Sequence, residues 1–147
     1  MTRWRRVLLP LVLLAVASCA HSGDEVAQRG QAQVDGLEAQ LVSVPGVRTL
    51  DMDYTRDPSG IGSVVVEGAV DSDADLDVLR DTFVEQVWRS PVAPVSGVVF
   101  VLRRDQPGGM PVPDDEPAEG LWEFVSFVEE AEALERRYGP RPVVTEP

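Results

Sequence analysis

The chain has 147 residues, of which 44% are hydrophobic, and it carries a formal net charge of −12. This length is enough for one domain of ordinary size and too short for two independent cores. The excess of acids argues against nucleic acid as a partner, because nucleic-acid binding depends on Arg and Lys to neutralise phosphates. It also argues against a purely electrostatic attachment to anionic lipid.

The N-terminus combines a basic start with a short apolar run. Arg3, Arg5 and Arg6 precede residues 7–17, an apolar stretch of 11 residues. A membrane-spanning helix needs about 20 apolar residues, so this run is too short to span a bilayer unaided. Small residues then lead to the single cysteine of the chain, Cys19.

This pattern resembles the signal of a bacterial lipoprotein. The resemblance implies that residues 1–18 are a signal peptide, cleaved between Ser18 and Cys19. It also implies that acyl chains such as palmitate on Cys19 anchor the mature protein to the extracytoplasmic face of the cell membrane, with residues 19–23 as the lipidated tether. Because Cys19 is the only cysteine, the fold has no intramolecular disulfide.

Hydrophobic periodicity predicts an α+β fold, in which a small twisted three-stranded sheet is packed by helices in the order α-β-β-α-β-α. The first two strands are expected to form an antiparallel hairpin, because residues 57–60 (Asp-Pro-Ser-Gly) are a strong turn signal. The elements predicted for a core over residues 24–104 are a helix over 24–42, strands over 47–54 and 63–70, a helix over 71–89 and a strand over 95–103.

Beyond the core the composition changes sharply. Residues 105–117 are rich in Pro, Gly and Asp, which indicates a loop. Apolar residues at spacings of three and four then predict a C-terminal helix over residues 118–139 that packs on the core. The last residues, 140–147, are predicted to be a disordered tail.

Two segments resemble BON modules, which are small α+β domains of bacterial envelope proteins. They are residues 44–47 (Val-Pro-Gly-Val) and residues 64–72, which run from a strand into a helix. The similarity extends over residues 34–102. It departs from the family at residues 95–98, where Val-Ser-Gly-Val replaces the usual second Val-Gly-Val turn. The resemblance implies a module that binds envelope surfaces or proteins, and it does not imply catalysis.

Carboxylates recur at every second position where the second helix begins, at Asp71, Asp73, Asp75 and Asp77. Clustered carboxylates favour Ca²⁺, which prefers several oxygen ligands. The spacing does not fit an EF-hand, because Leu76 stands where that loop requires Gly. In the alternative interpretation, Ser72 or Asp73 caps the helix and the other acids stabilise its dipole.

Trp122 and Phe127 flank the apolar face of the predicted C-terminal helix. That face centres near Phe124 and Val128, and the two other aromatic residues lie on either side of it. A stripe of this width either covers a sheet or binds a partner, and Trp is a favoured interface anchor. Trp122 and Phe127 are therefore candidate partner-binding residues, with core packing as the alternative.

Catalysis finds little support in the sequence. His21 is the only histidine and lies two residues from Cys19, so a His-based catalytic pair lacks its base in the folded part. We find no zinc-binding spacing and no phosphate-binding loop, and we predict no cofactor. Asp51 and Asp53 leave a carboxylate-based hydrolase as an alternative.

Together these features predict a membrane-anchored lipoprotein that acts as a non-catalytic binding or interaction module of the bacterial cell envelope. Its expected partners are the membrane, through the N-terminal lipid, and an envelope protein. The alternative function is that of a solute- or Ca²⁺-binding lipoprotein that uses the acidic residues 71–77.

Overall fold

The computed structural model describes residues 8–92, 95–105 and 119–142. They form an α+β fold, as the sequence predicts, with helices packed on a mixed sheet. The elements in chain order are α1 (Leu8–Leu41), β1 (Val47–Arg56), β2 (Gly62–Val70), α2 (Leu76–Arg89), β3 (Gly97–Arg104), β4 (Gly120–Ser126) and α3 (Ala131–Tyr138).

The sheet has four strands in the order β1-β2-β3-β4. The predicted antiparallel hairpin of β1 and β2 is confirmed, and Met52 pairs with Val66 at its centre. β2 and β3 are parallel, which places α2 in the connection between them. β4 runs antiparallel to β3 and forms one edge of the sheet, while β1 forms the other edge.

The prediction of three strands followed by one long helix over residues 118–139 is wrong. Residues 120–126 form the edge strand β4, and only Ala131–Tyr138 are helical. Apolar residues in this segment satisfy a helical spacing, but the backbone of β3 offers β4 a full ladder of hydrogen bonds. Pairing with a neighbouring strand therefore overrides the local helical pattern.

The start of the first helix also differs from the prediction. α1 begins at Leu8 instead of near residue 24, and it runs through the predicted tether at residues 19–23. No proline separates the apolar run from the amphipathic segment after it, so one helix continues through both. The basic start of the chain, most of the predicted loop (residues 106–117) and the end of the predicted tail (residues 143–147) lie outside the described residues.

The hydrophobic core lies between the helices and one face of the sheet. Met52, Val66, Phe100 and Val125 point to this face from the four strands and are buried. Phe83 of α2 stacks on Phe100 with ring centroids 6.4 Å apart. We call this side the helix face.

The alternate side chains point to the opposite side, which we call the open face. None of the described helices covers it, and its acidic and aromatic side chains are exposed. Acidic residues lie on the β1 and β2 side and apolar residues on the β3 and β4 side. The open face comprises Asp51, Asp53, Val65, Glu67, Val99, Val101, Arg103, Trp122 and Phe124.

Candidate functional site

Two aromatic side chains stand on the open face of β4. Trp122 is 56% exposed and Phe124 is 52% exposed, and they pair across the sheet with Val101 and Val99. The guanidinium of Arg103 lies 5.8 Å from the centroid of the Trp122 ring, in a cation–π arrangement. Large exposed aromatic residues next to one another on a sheet are typical of an interaction surface.

The backbone groups of these two residues point away from the sheet. Arg104 donates to the carbonyl of Glu119, and Phe127 donates to the carbonyl of Ser96, both at 2.7 Å. Hydrogen-bonded and non-hydrogen-bonded residue pairs alternate along an antiparallel ladder. Since Glu119 and Phe127 belong to hydrogen-bonded pairs, Trp122 and Phe124 form non-hydrogen-bonded pairs with β3. Their N–H and C=O groups therefore face the free edge. Among the described residues, no backbone group bonds to them from that side.

The opposite edge of the sheet is protected. Gln31 of α1 accepts a hydrogen bond from the Tyr54 amide at 2.8 Å and donates to the Met52 carbonyl at 3.1 Å. Glu38 accepts from the Met52 amide at 2.9 Å. Side chains of α1 thus occupy these outward groups at the middle of β1, which hinders pairing with another strand. β4 has no such cover from the described parts of the chain.

An ion pair fixes β4 to α2 on the helix face. Arg80 donates to both carboxylate oxygens of Glu123, at 2.7 and 2.9 Å. These hydrogen bonds hold the pKa of Glu123 below its ordinary value and raise that of Arg80. Asp81 next to Arg80 forms a further ion pair with Arg137 of α3. These four charged side chains on the helix face next to β4 therefore form ion pairs with one another.

The two predicted partner-binding residues are not on the same surface. Trp122 lies on the open face, whereas Phe127 is only 4% exposed and packs edge-on against Trp88 with ring centroids 5.3 Å apart. For Phe127 the structure favours the alternative that the sequence left open, which is packing in the core. Sequence reasoning missed Phe124, which it placed at the centre of a buried helical face.

Helix capping and charge pairing account for two of the four acidic residues at the start of α2, Asp75 and Asp71. The Asp75 carboxylate caps α2 by accepting from the amides of Asp77 and Val78, at 3.1 and 3.2 Å. Asp71 lies 3.7 Å from Arg48. The described residues contain no group of three or more His, Cys, Asp or Glu side chains that could hold a metal ion. The calcium alternative at Asp71, Asp73, Asp75 and Asp77 gains no support from this geometry.

The predicted lipidation site lies within α1. Ser18 and Cys19 are part of its backbone, and their side chains, like that of His21, are outside the described residues. No helix in the described ranges combines the length and the apolarity needed to cross a membrane. Lipidation of Cys19 therefore stays a prediction.

Comparison with protein families, with curated proteins and with solved structures yields no match for this chain. The resemblances to lipoprotein signals and to BON modules remain predictions, based on the residues that suggested them.

Proposed function

We propose that this chain is a lipid-anchored, non-catalytic interaction module of the bacterial cell envelope, which binds its partner through β4. The observation that carries the proposal is the exposure of Trp122 and Phe124 beside a strand edge whose outward backbone groups bond to no backbone group of the described residues. A partner strand that adds to such an edge gains main-chain hydrogen bonds, and the aromatic side chains supply apolar contact area.

Acylation of Cys19 would supply the membrane attachment. Each buried CH₂ of an acyl chain contributes roughly 0.8 kcal/mol, so two or more chains give stable anchoring. Anchoring confines the domain to the membrane surface and raises its effective concentration for partners held there. The net charge of −12 supports the same view, because the protein cannot rely on attraction to anionic lipid.

Crosslinking in cells tests the proposal. The full chain is compared with the double variant Trp122→Ser/Phe124→Ser, and crosslinked partners are recovered from membranes and identified by mass spectrometry. We expect recurrent partners with the natural sequence and their loss in the double variant. Ile61→Ser is the matched control, because Ile61 is also exposed (51%) but lies in the loop between β1 and β2 and not on β4.

Cys19→Ser tests the anchor separately. We expect this variant to leave the membrane fraction and to take up no labelled palmitate. Equal crosslinking in the natural chain and the double variant would contradict the proposed surface, and membrane retention of Cys19→Ser would contradict the proposed anchor.

A further inference from the structure

We propose that the partner of the β4 edge is a second copy of this chain. The two β4 strands pair antiparallel about a two-fold axis at Glu123, which joins the two four-stranded sheets into one. The inference rests on the proposed use of the β4 edge for binding. It is independent of the lipid anchor.

The sequence of β4 is nearly symmetric about Glu123. The strand reads Gly-Leu-Trp-Glu-Phe-Val-Ser from Gly120 to Ser126. On either side of the central Glu stand an aromatic residue, then an aliphatic residue, then a small one. An antiparallel pair centred on Glu123 therefore places Trp against Phe, Leu against Val, and Gly against Ser. A two-fold interface needs this kind of self-complementary surface.

The backbone geometry fits the same register. Trp122 of one copy lies opposite Phe124 of the other, and both residues direct their N–H and C=O groups toward the free edge. These become hydrogen-bonded pairs, and each pair exchanges both of its N–H···O bonds. If the register between the two β4 strands were shifted by one residue, the outward backbone groups of one copy would lie opposite groups of the other copy that already bond to β3. The pleat of the strands therefore excludes that register.

The aromatic side chains support this register as well. Because the axis is perpendicular to the sheet, both open faces lie on the same side. Trp122 of one copy then stands beside Phe124 of the other, on each side of the axis. Cross-strand aromatic pairs are among the stabilising pairs of antiparallel sheets.

The charge distribution permits two acidic chains to meet at this edge. With a net charge of −12 per chain, association of two copies is opposed unless the meeting surfaces are neutral. Glu123 is the single charged residue of β4, and Arg80 neutralises it through two hydrogen bonds. The acids of the open face lie on the two strands farthest from β4, with Asp51 and Asp53 on β1 and Glu67 on β2.

The assembly also closes at two copies. Pairing consumes one β4 edge from each chain, and the remaining outer edges are the β1 strands. Gln31 and Glu38 already occupy three outward groups at the middle of β1, which are the N–H and C=O of Met52 and the N–H of Tyr54. The extended sheet therefore offers no further strand for addition through β1, so a dimer forms instead of a fibre.

Cysteine crosslinking tests the register. In the full chain carrying Cys19→Ser, Glu123→Cys places two thiols across the axis as a non-hydrogen-bonded pair, with Cα atoms about 4.5 Å apart. This lies within the range that a disulfide spans. Trp122→Cys places its thiols on a diagonal of about 7–8 Å, and Asp53→Cys places them at the protected edge. Under mild oxidation we expect a disulfide-linked dimer from Glu123→Cys and at least about tenfold less from the other two.

Because Glu123→Cys removes the ion pair with Arg80, a second test uses a variant that keeps this pair. Sedimentation of the full chain in detergent over a concentration series is expected to show a dimer. Trp122→Lys places a charge beside the paired strands and removes both aromatic pairs, so it should weaken dimerisation by about tenfold or more. Asp53→Lys, on the same face but at the β1 edge, should leave the dimer unchanged.

A chain that stays monomeric at every concentration, or that crosslinks equally from Glu123→Cys and Asp53→Cys, overturns the inference. A dimer that survives Trp122→Lys also overturns it, because association then uses another surface. If partners are still captured through Trp122 and Phe124 while the chain is monomeric, the proposed function stands and the homodimer fails. If the dimer forms but Cys19→Ser stays with the membrane, the anchor fails and the homodimer stands.

Discussion

At the scale of single residues, the Arg80–Glu123 pair explains how a carboxylate is accommodated on the helix face of β4. Glu123 occupies a position between Leu121 and Val125 that an apolar residue would otherwise fill. The guanidinium of Arg80 donates to both of its oxygens, so the charge is compensated where β4 meets α2. The pair thereby links β4 to α2 on the helix face.

The lowered pKa of Glu123 predicts a dependence of stability on pH. Because the folded chain binds this proton less readily than the unfolded chain, the ion pair contributes fully above the ordinary Glu pKa of 4.5 and is lost as the pH falls through the lower folded value. We expect Glu123→Gln to be less stable than the natural chain at pH 7, by about 1 kcal/mol or less for a partly exposed pair.

Urea denaturation at a series of pH values measures this effect. The difference between the two chains should shrink as the pH is lowered from 7 to below the ordinary Glu pKa of 4.5. Glu67→Gln, an exposed carboxylate outside the pair, serves as the control and should show a smaller difference. A difference for Glu123→Gln that does not change with pH would contradict the assigned role of the pair.

At the scale of elements, the close approach of α1 to β1 depends on Gly30. A Cβ atom at this position would lie 2.5 Å from Cε1 of Tyr54, whereas one at Gly36 would meet nothing within 4 Å. Both glycines weaken a helix intrinsically, by roughly 1 kcal/mol relative to Ala. Their substitution should therefore have opposite effects.

We expect Gly30→Ala to destabilise the fold by about 1–3 kcal/mol, because the Tyr54 ring must shift within a packed core. Gly36→Ala should stabilise it by up to about 1 kcal/mol through helix propensity alone. Chemical denaturation of the two variants beside the natural chain measures both shifts. Stabilisation by both substitutions would show that α1 does not approach β1 at Gly30.

The sequence predicts those helices and strands in which apolar and polar residues follow a regular period. The hairpin of β1 and β2 follows from the alternation of Leu50, Met52 and Tyr54 with polar residues and from the turn at residues 57–60. α2 follows from its apolar stripe, although its first turn begins only after the Asp75 cap. In these segments the residues that face the core are apolar, so sequence and packing agree.

β4 could not be predicted in this way. Its inward side carries Glu123 between two apolar residues and its outward side carries Trp122 and Phe124, so the usual alternation of apolar and polar residues in a half-buried strand is lost. The carboxylate is tolerated because of Arg80, which is 43 residues away in the chain. For the same reason the sequence identified Trp122 as a candidate but not Phe124, since the helical interpretation placed Phe124 in the core.

At the scale of the whole molecule, the two edges of the sheet differ in whether other residues bond to their outward backbone groups. Side chains of α1 occupy outward backbone groups of Met52 and Tyr54 on β1, while no described residue covers those of Trp122 and Phe124 on β4. A sheet with one protected and one open edge is suited to add a single partner strand. Attachment of the N-terminus to a membrane would bring such edges together at high local concentration.

The most direct test of this account is site-specific photo-crosslinking in living cells. A photoreactive residue is placed at position 122 of the full chain and, as the matched exposed control, at position 61. We predict strong, discrete adducts from position 122, either to a second copy or to an envelope protein, and background only from position 61. The absence of adducts from position 122, or the same adducts from both positions, would contradict the assignment of β4 as the binding surface.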